Sequence, residues 1–91
     1  MYIIDAVKNV KLSPKIKAEL DETMSDWPTF QKNTSEMDME DVLLAFRYEI
    51  ERSHIRRNIL NKLVGMYNRR AAQRNQAQVD RFLAERADAA A

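Results

Sequence analysis

Apolar residues fall in clusters along the chain, and the clusters repeat at helical rather than strand spacing. Ile3, Ile4, Val7 and Val10 lie on one helical face, which predicts a short helix over 2–10. Ser13-Pro14 signals a second start. Serine can accept a hydrogen bond from the unpaired amides of a first turn, and proline at the first helical position loses no bond. The helix predicted over 14–25 puts Ile16, Leu20 and Met24 on one face and leaves Lys15, Lys17, Asp21 and Glu22 to water. Asp26-Trp27-Pro28 predicts a break, because proline disfavours helical backbone in the residue before it. The stretch 26–37 is expected as a loop anchored by Trp27 and Phe30. Thr34 or Ser35 is the expected cap of the next helix, with Ser35 and Asp38 at capping-box spacing.

From Asp38 the periodicity strengthens. Met39, Val42, Leu43, Phe46 and Ile50 share one face, while Leu44 and Tyr48 occupy the opposite one. The pattern resumes with Ile55, Ile59, Leu60, Leu63, Met66 and Tyr67, but roughly 180° out of phase with the first stripe at 100° per residue. Two geometries satisfy this. A turn at 52–54, capped by Ser53, folds the helices into an antiparallel hairpin; alternatively, one long helix buries opposite faces in different neighbours. The hairpin is favoured, although no Gly or Pro marks the turn. Glu49 with Arg52 or Ser53, and Glu51 with Arg56, are the expected pairs across it. After Tyr67 the only large apolar residues are Val79, Phe82 and Leu83. Residues 71–91 are therefore expected as an Ala/Arg-rich tail helix to about Arg86, weakly docked or projecting, with a frayed end.

The pattern predicts an all-α domain of four or five helices: a helical core over 1–70, a central helical hairpin and a carboxy-terminal helix over 71–91. Composition agrees. One glycine in 91 residues leaves few tight turns, and the absence of cysteine excludes disulfides, thiolate zinc sites and a cysteine nucleophile. A chain of this length buries only about 60–65% of its unfolded surface. No apolar run is long enough to span a membrane, and residues 1–10 lack a signal peptide's basic flank and long apolar region, so the expected location is cytoplasmic.

Charge changes the picture more than composition does. The net charge of +1 conceals two opposed halves. Residues 1–51 carry six Lys and Arg against eleven Asp and Glu, a net −5; residues 52–91 carry nine against three, a net +6. From Arg52 to Arg74 there are seven basic residues and no acidic one. Such a run suits a polyanion or an acidic partner, unless the acidic half folds against it.

The candidate binding set is Arg52, Arg56, Arg57, Asn58, Asn61, Lys62, Gly65, Asn68, Arg69, Arg70 and Arg74. Arg and Lys neutralise phosphates, and Asn bonds base edges or phosphate oxygens. Gly65, the sole glycine, falls mid-helix on the outer face, at a cost of about 1 kcal/mol against alanine, where it would admit a ligand backbone or another helix. Arg81 extends the basic set along the tail.

No named DNA-binding motif, phosphate loop or catalytic constellation is present. His54 is the only histidine and lacks a zinc-binding companion, and Ser53 and His54 diverge as helical neighbours. Asp38, Glu40 and Asp41 suit a helix start better than a metal. The expectation is a non-enzymatic, cofactor-free regulator that binds DNA or RNA through a basic helix over 52–74. The alternative is an adaptor or inhibitor of the bacterial or phage accessory kind. It would engage a partner protein with an acidic surface through Leu44, Tyr48 and the basic helix. The second face of 38–51 is also the expected homodimer surface.

Overall fold

The computed structural model describes the backbone of residues 2–90 and the side chains of residues 2–86. Five helices follow in order: α1 (Ile3–Ala6), α2 (Pro14–Thr23), α3 (Trp27–Asn33), α4 (Met39–Ile50) and α5 (Arg57–Ala90), with a 3-10 turn at Thr34–Glu36 between α3 and α4. There is no strand among the described residues. The helix expected over 2–10 is a single turn, α1, with no side-chain cap at its start. Val7 is nonetheless fully buried and Val10 half-buried, so the apolar spacing serves packing without a full helix.

Helix α2 starts where the sequence places it. The Ile16 amide donates to Ser13 Oγ at 3.2 Å, and Pro14 fills the first turn. The expected loop over 26–37 is a correction: most of it is helical. Pro28 does not end α2 so much as begin α3. Asp26 caps the new helix, accepting from the Thr29 amide at 2.8 Å, and Pro28 sits in a first turn that needs no amide from it. Asn33 Nδ2 donates to Thr29 O at 2.9 Å and to Thr23 O at 3.5 Å, tying α3 back to α2. The cap of α4 is also corrected. Asp38, rather than Thr34 or Ser35, accepts from the Asp41 amide at 2.8 Å, and the Asp41 carboxylate accepts from the Asp38 amide at 3.2 Å. This reciprocal box explains the acidic residues at 38 and 41.

The hairpin forms. Helix α4 is the central element, packed against α1, α2 and the first part of α5. Ile59, Leu63, Met66 and Tyr67 of α5 meet Val42, Ala45 and Phe46 of α4 in one core, which also takes in Met24 and Phe30. Fully burying a side chain such as Phe30 contributes roughly 1.5–3 kcal/mol. The turn spans 51–56, wider than expected. Buried residues stop at Tyr67, while α5 runs on as one unbroken helix of 34 residues, about 50 Å long at 1.5 Å per residue. Its helical backbone is described to Ala90. Val79, Phe82 and Leu83 are each half exposed or more.

Both faces of α4 are used inside the chain. Tyr48 is buried at 8% exposure and donates its hydroxyl proton to Asp21 of α2. The expected homodimer surface over 38–51, and Tyr48 as an exposed interface residue, are thus corrected: α2 covers that face. Leu44 stays half-buried beside α2.

Candidate cationic groove

The seven basic residues of the acid-free run do not form one patch. Three of them make internal bonds, and for Arg52 and Arg56 the cause is Glu49. This glutamate sits three and four residues from Phe46 and Ala45 on the buried face of α4 and has no exposed surface. Its Oε1 accepts from the Arg56 backbone amide at 2.8 Å and from Arg56 Nε at 3.1 Å, and its Oε2 accepts from Arg56 Nη2 at 2.8 Å. Arg56 Nη1 meanwhile donates to Met24 O at 2.7 Å, one of the carbonyls left open where α2 ends. One guanidinium therefore joins the end of α2, the end of α4 and the start of α5. The Glu49 hydrogen bonds raise the Arg56 pKa above its ordinary value, so the arginine stays charged. Arg52 lies beside the same carboxylate at 3.7 Å and over the Tyr48 ring at 6.0 Å. Glu51 pairs with Arg47 at 3.0 Å, not with Arg56. A buried charge needs this degree of pairing, because isolated it would cost several kcal/mol.

Arg70 is the third. It donates from Nη2 to Met37 O at the end of the 3-10 turn and is half-buried. That bond pins Arg70 beside a groove between the 3-10 turn and α5. Lys62, Met66, Arg69, Arg70 and Gln73 form the α5 wall; Thr34 and Ser35 form the other, and the volume is about 290 Å³. Three cations, two hydroxyls and one amide converge there, and no carboxylate lines it. Lys62 and Arg69 are two helical turns apart, about 10 Å along α5. The groove is open and polar, unlike an enclosed apolar small-molecule site.

The rest of the predicted set is distributed round α5. Arg57, Asn58, Asn61, Gly65 and Asn68 are exposed on the side away from α4, and Arg74 is exposed beyond the core near Ala6 and Leu43. Gly65 has no left-handed backbone, and a Cβ there would meet nothing within 4 Å. Neither conformation nor packing within the chain requires glycine at this point. Leu44 lies in a separate groove with Ile16, Leu20 and Met37, rimmed by the carboxylates of Glu19, Glu36 and Asp41. The grooves holding Lys62 and Leu44 are thus opposite in charge.

The sequence set omitted Thr34, Ser35 and Gln73. Nothing local marks the first two as groove residues, because the 3-10 turn meets α5 only through tertiary packing. Glu49 was expected as a partner of Arg52 or Ser53 across the turn; its contact with Arg52 is present, and its main partner is Arg56. No helix among the described residues is long and apolar enough to cross a membrane. Comparison of the chain with protein families, curated proteins and solved structures finds no match.

Proposed function

We propose that this chain is a small non-enzymatic binding protein that associates with DNA or RNA through the groove at Lys62, Arg69 and Arg70. The observation that carries the reading is the convergence of three cations and two hydroxyls on a surface with no carboxylate. Lys62 and Arg69 contribute charge, Arg70 is held in place through Met37 O, and Ser35 supplies a hydroxyl donor to phosphate oxygens, while the Thr34 hydroxyl donates to Gln31 O at 2.8 Å. Contacts of this type position a nucleic acid without reading its sequence. Withdrawal of Arg52 and Arg56 into the fold makes the contact smaller than the sequence suggests.

The test is anisotropy titration of labelled duplex DNA, single-stranded DNA and RNA across a salt series. About three phosphate contacts give a log–log salt slope of about −2.7 for duplex and about −2 for single strands. A Lys62→Glu/Arg69→Glu variant loses binding, while Arg57→Glu, on another side of α5, retains most of it. Absence of binding at low salt, or binding indifferent to salt, overturns the reading.

The acid-rimmed groove at Leu44 favours a second reading, an adaptor or inhibitor that receives a basic amphipathic segment of a partner protein. In that case the double variant leaves partner capture intact, and Leu44→Arg abolishes it.

A further inference from the structure

Helix α5 presents a second surface, independent of the cationic groove. On the side opposite Ile59, Leu63 and Met66, the exposed residues Gly65, Asn68, Ala72, Asn75, Val79 and Phe82 follow at alternating intervals of three and four. That spacing is a seven-residue repeat, the seam of a helix that meets another helix. The seam is uncovered. Val79 is 50% exposed, Phe82 58% and the flanking Leu83 56%. Its two ends differ in size: a phenylalanine stands at one and a glycine, with open space above it, at the other.

We infer that this seam pairs with the same seam of a second copy of the chain, antiparallel, with Phe82 of each copy seated over Gly65 of the other. A two-fold axis midway between residues 73 and 74 sets Gly65 opposite Phe82. It also sets Asn68 opposite Val79 and Ala72 opposite Asn75, so every large side chain meets a smaller one. The glycine that nothing within the chain requires thereby gains a role. Charge supports the same direction. Among the described side chains of α5, residues 57–73 carry Arg57, Lys62, Arg69 and Arg70 with no acid, a net +4, whereas residues 74–86 carry Arg74, Arg81 and Arg86 with Asp80 and Glu85, a net +1, so a parallel pair would set the two most positive halves together. Antiparallel pairing lays the acid-bearing half along the acid-free half. A parallel pair would instead oppose Phe82 to Phe82 and glycine to glycine, and would force both helical bodies to one end. In the antiparallel pair the bodies lie at opposite ends, and Lys62 and Arg70 remain open. Asn68 and Asn75 in the seam fix register and weaken the association.

The chain has no cysteine, so cross-linking reports the register cleanly. On oxidation, a mixture of Asn68→Cys and Val79→Cys chains gives a disulfide-linked heterodimer. Val79→Cys alone does not, because its two copies lie about 16 Å apart along the axis. Sedimentation equilibrium of the native chain shows a concentration-dependent dimer. Phe82→Glu and Gly65→Leu each raise its dissociation constant by about 10-fold or more, with helical circular dichroism unchanged. Three results overturn the inference: a monomer at every concentration, efficient linkage of Val79→Cys to itself, or association that survives Gly65→Leu. The last would mean that Phe82 is merely adhesive. Oligonucleotide titration of Lys62→Glu/Arg69→Glu reads the groove; the Gly65→Leu variant reads the seam, so the two readings fail separately.

Discussion

Arg56 and Arg69 belong to the same acid-free run, carry the same charge and sit on the same hairpin, yet one is a fastener and the other a surface residue. Arg56 reaches a carboxylate with no exposure, two carbonyls at the end of α2 and its own helix start. Arg69 has no protein carboxylate beside its groove. What separates them is one residue on the facing helix, Glu49, placed where the apolar stripe of α4 would otherwise continue. Local charge counts therefore measure what is available to a ligand only after the facing elements have taken their share.

The largest expected effect breaks this contrast from the buried side. Arg56→Ala leaves the enclosed Glu49 with only Arg52, at 3.7 Å, beside it, and removes a donor from the carbonyls at the end of α2. Removing one partner of a buried pair costs about 3–5 kcal/mol. In a domain of this size that lowers the midpoint of thermal unfolding by more than about 10 °C. Arg69→Ala, an exposed change, stays within about 0.5 kcal/mol. Thermal unfolding followed by circular dichroism compares the two. Glu49→Leu/Arg56→Met recovers much of the loss, since a well-packed apolar pair can replace a buried ion pair. Equal effects at positions 56 and 69 would remove the distinction.

Much of the architecture was legible locally. The Ser13-Pro14 start, the α4 stripe and the half-turn phase slip before Ile59 each encode geometry within a few residues, and the hairpin followed from them. Helix α3 was not, because Asp26-Trp27-Pro28 contains a cap and a first-turn proline as well as a stop, and the sequence pattern alone favoured the stop. Tyr48 was correctly set on a second face of α4, but its neighbour Asp21 lies 27 residues earlier and could not be found from spacing. The groove combined both kinds of information. Lys62 and Arg69 share a flank by helical repeat, but their apposition to Thr34 and Ser35 depends on how α3 and the 3-10 turn pack. The tail was read as thinly apolar, and it is; Gly65 was singled out, and its surroundings within the chain are empty.

A smaller effect probes the polar contact on α4's other face. Tyr48→Phe removes the hydroxyl bond to Asp21 and the weak contact from Arg52, and costs about 1 kcal/mol because Asp21 is exposed and regains water. Burial, and then the Asp21 hydrogen bond, raise the Tyr48 pKa above the ordinary tyrosine value. For a group that is neutral when protonated, the raised value means that the folded state holds the proton more tightly. The contribution is fully present below the unfolded-state pKa and disappears as pH rises through the folded-state value. Urea unfolding above pH about 10 should therefore show the native chain losing stability faster than Tyr48→Phe, with the gap closing as Tyr48 ionises. Parallel curves would mean that the hydroxyl is not part of the fold's support.

The smallest expected effect lies at Asp26, which caps α3 and feels Arg56 through space. Hydrogen bonds from the Thr29 hydroxyl and amide lower its pKa first, burial opposes them, and the Arg56 charge lowers it further. A carboxyl with a depressed folded-state pKa contributes stability above its unfolded value and loses it as pH falls through the folded one. Asn is an equally good cap, so Asp26→Asn keeps α3 and abolishes only this pH dependence. Unfolding measured downward from pH about 5 should show the native chain converging on the variant as Asp26 protonates. Because Arg56 is one cause of the depression, nuclear magnetic resonance titration of Asp26 in the Arg56→Ala chain, under conditions where it remains folded, should give a higher pKa than in the native chain. An unchanged value would mean that Thr29 alone sets the shift, and would confine the influence of Arg56 to the atoms it touches.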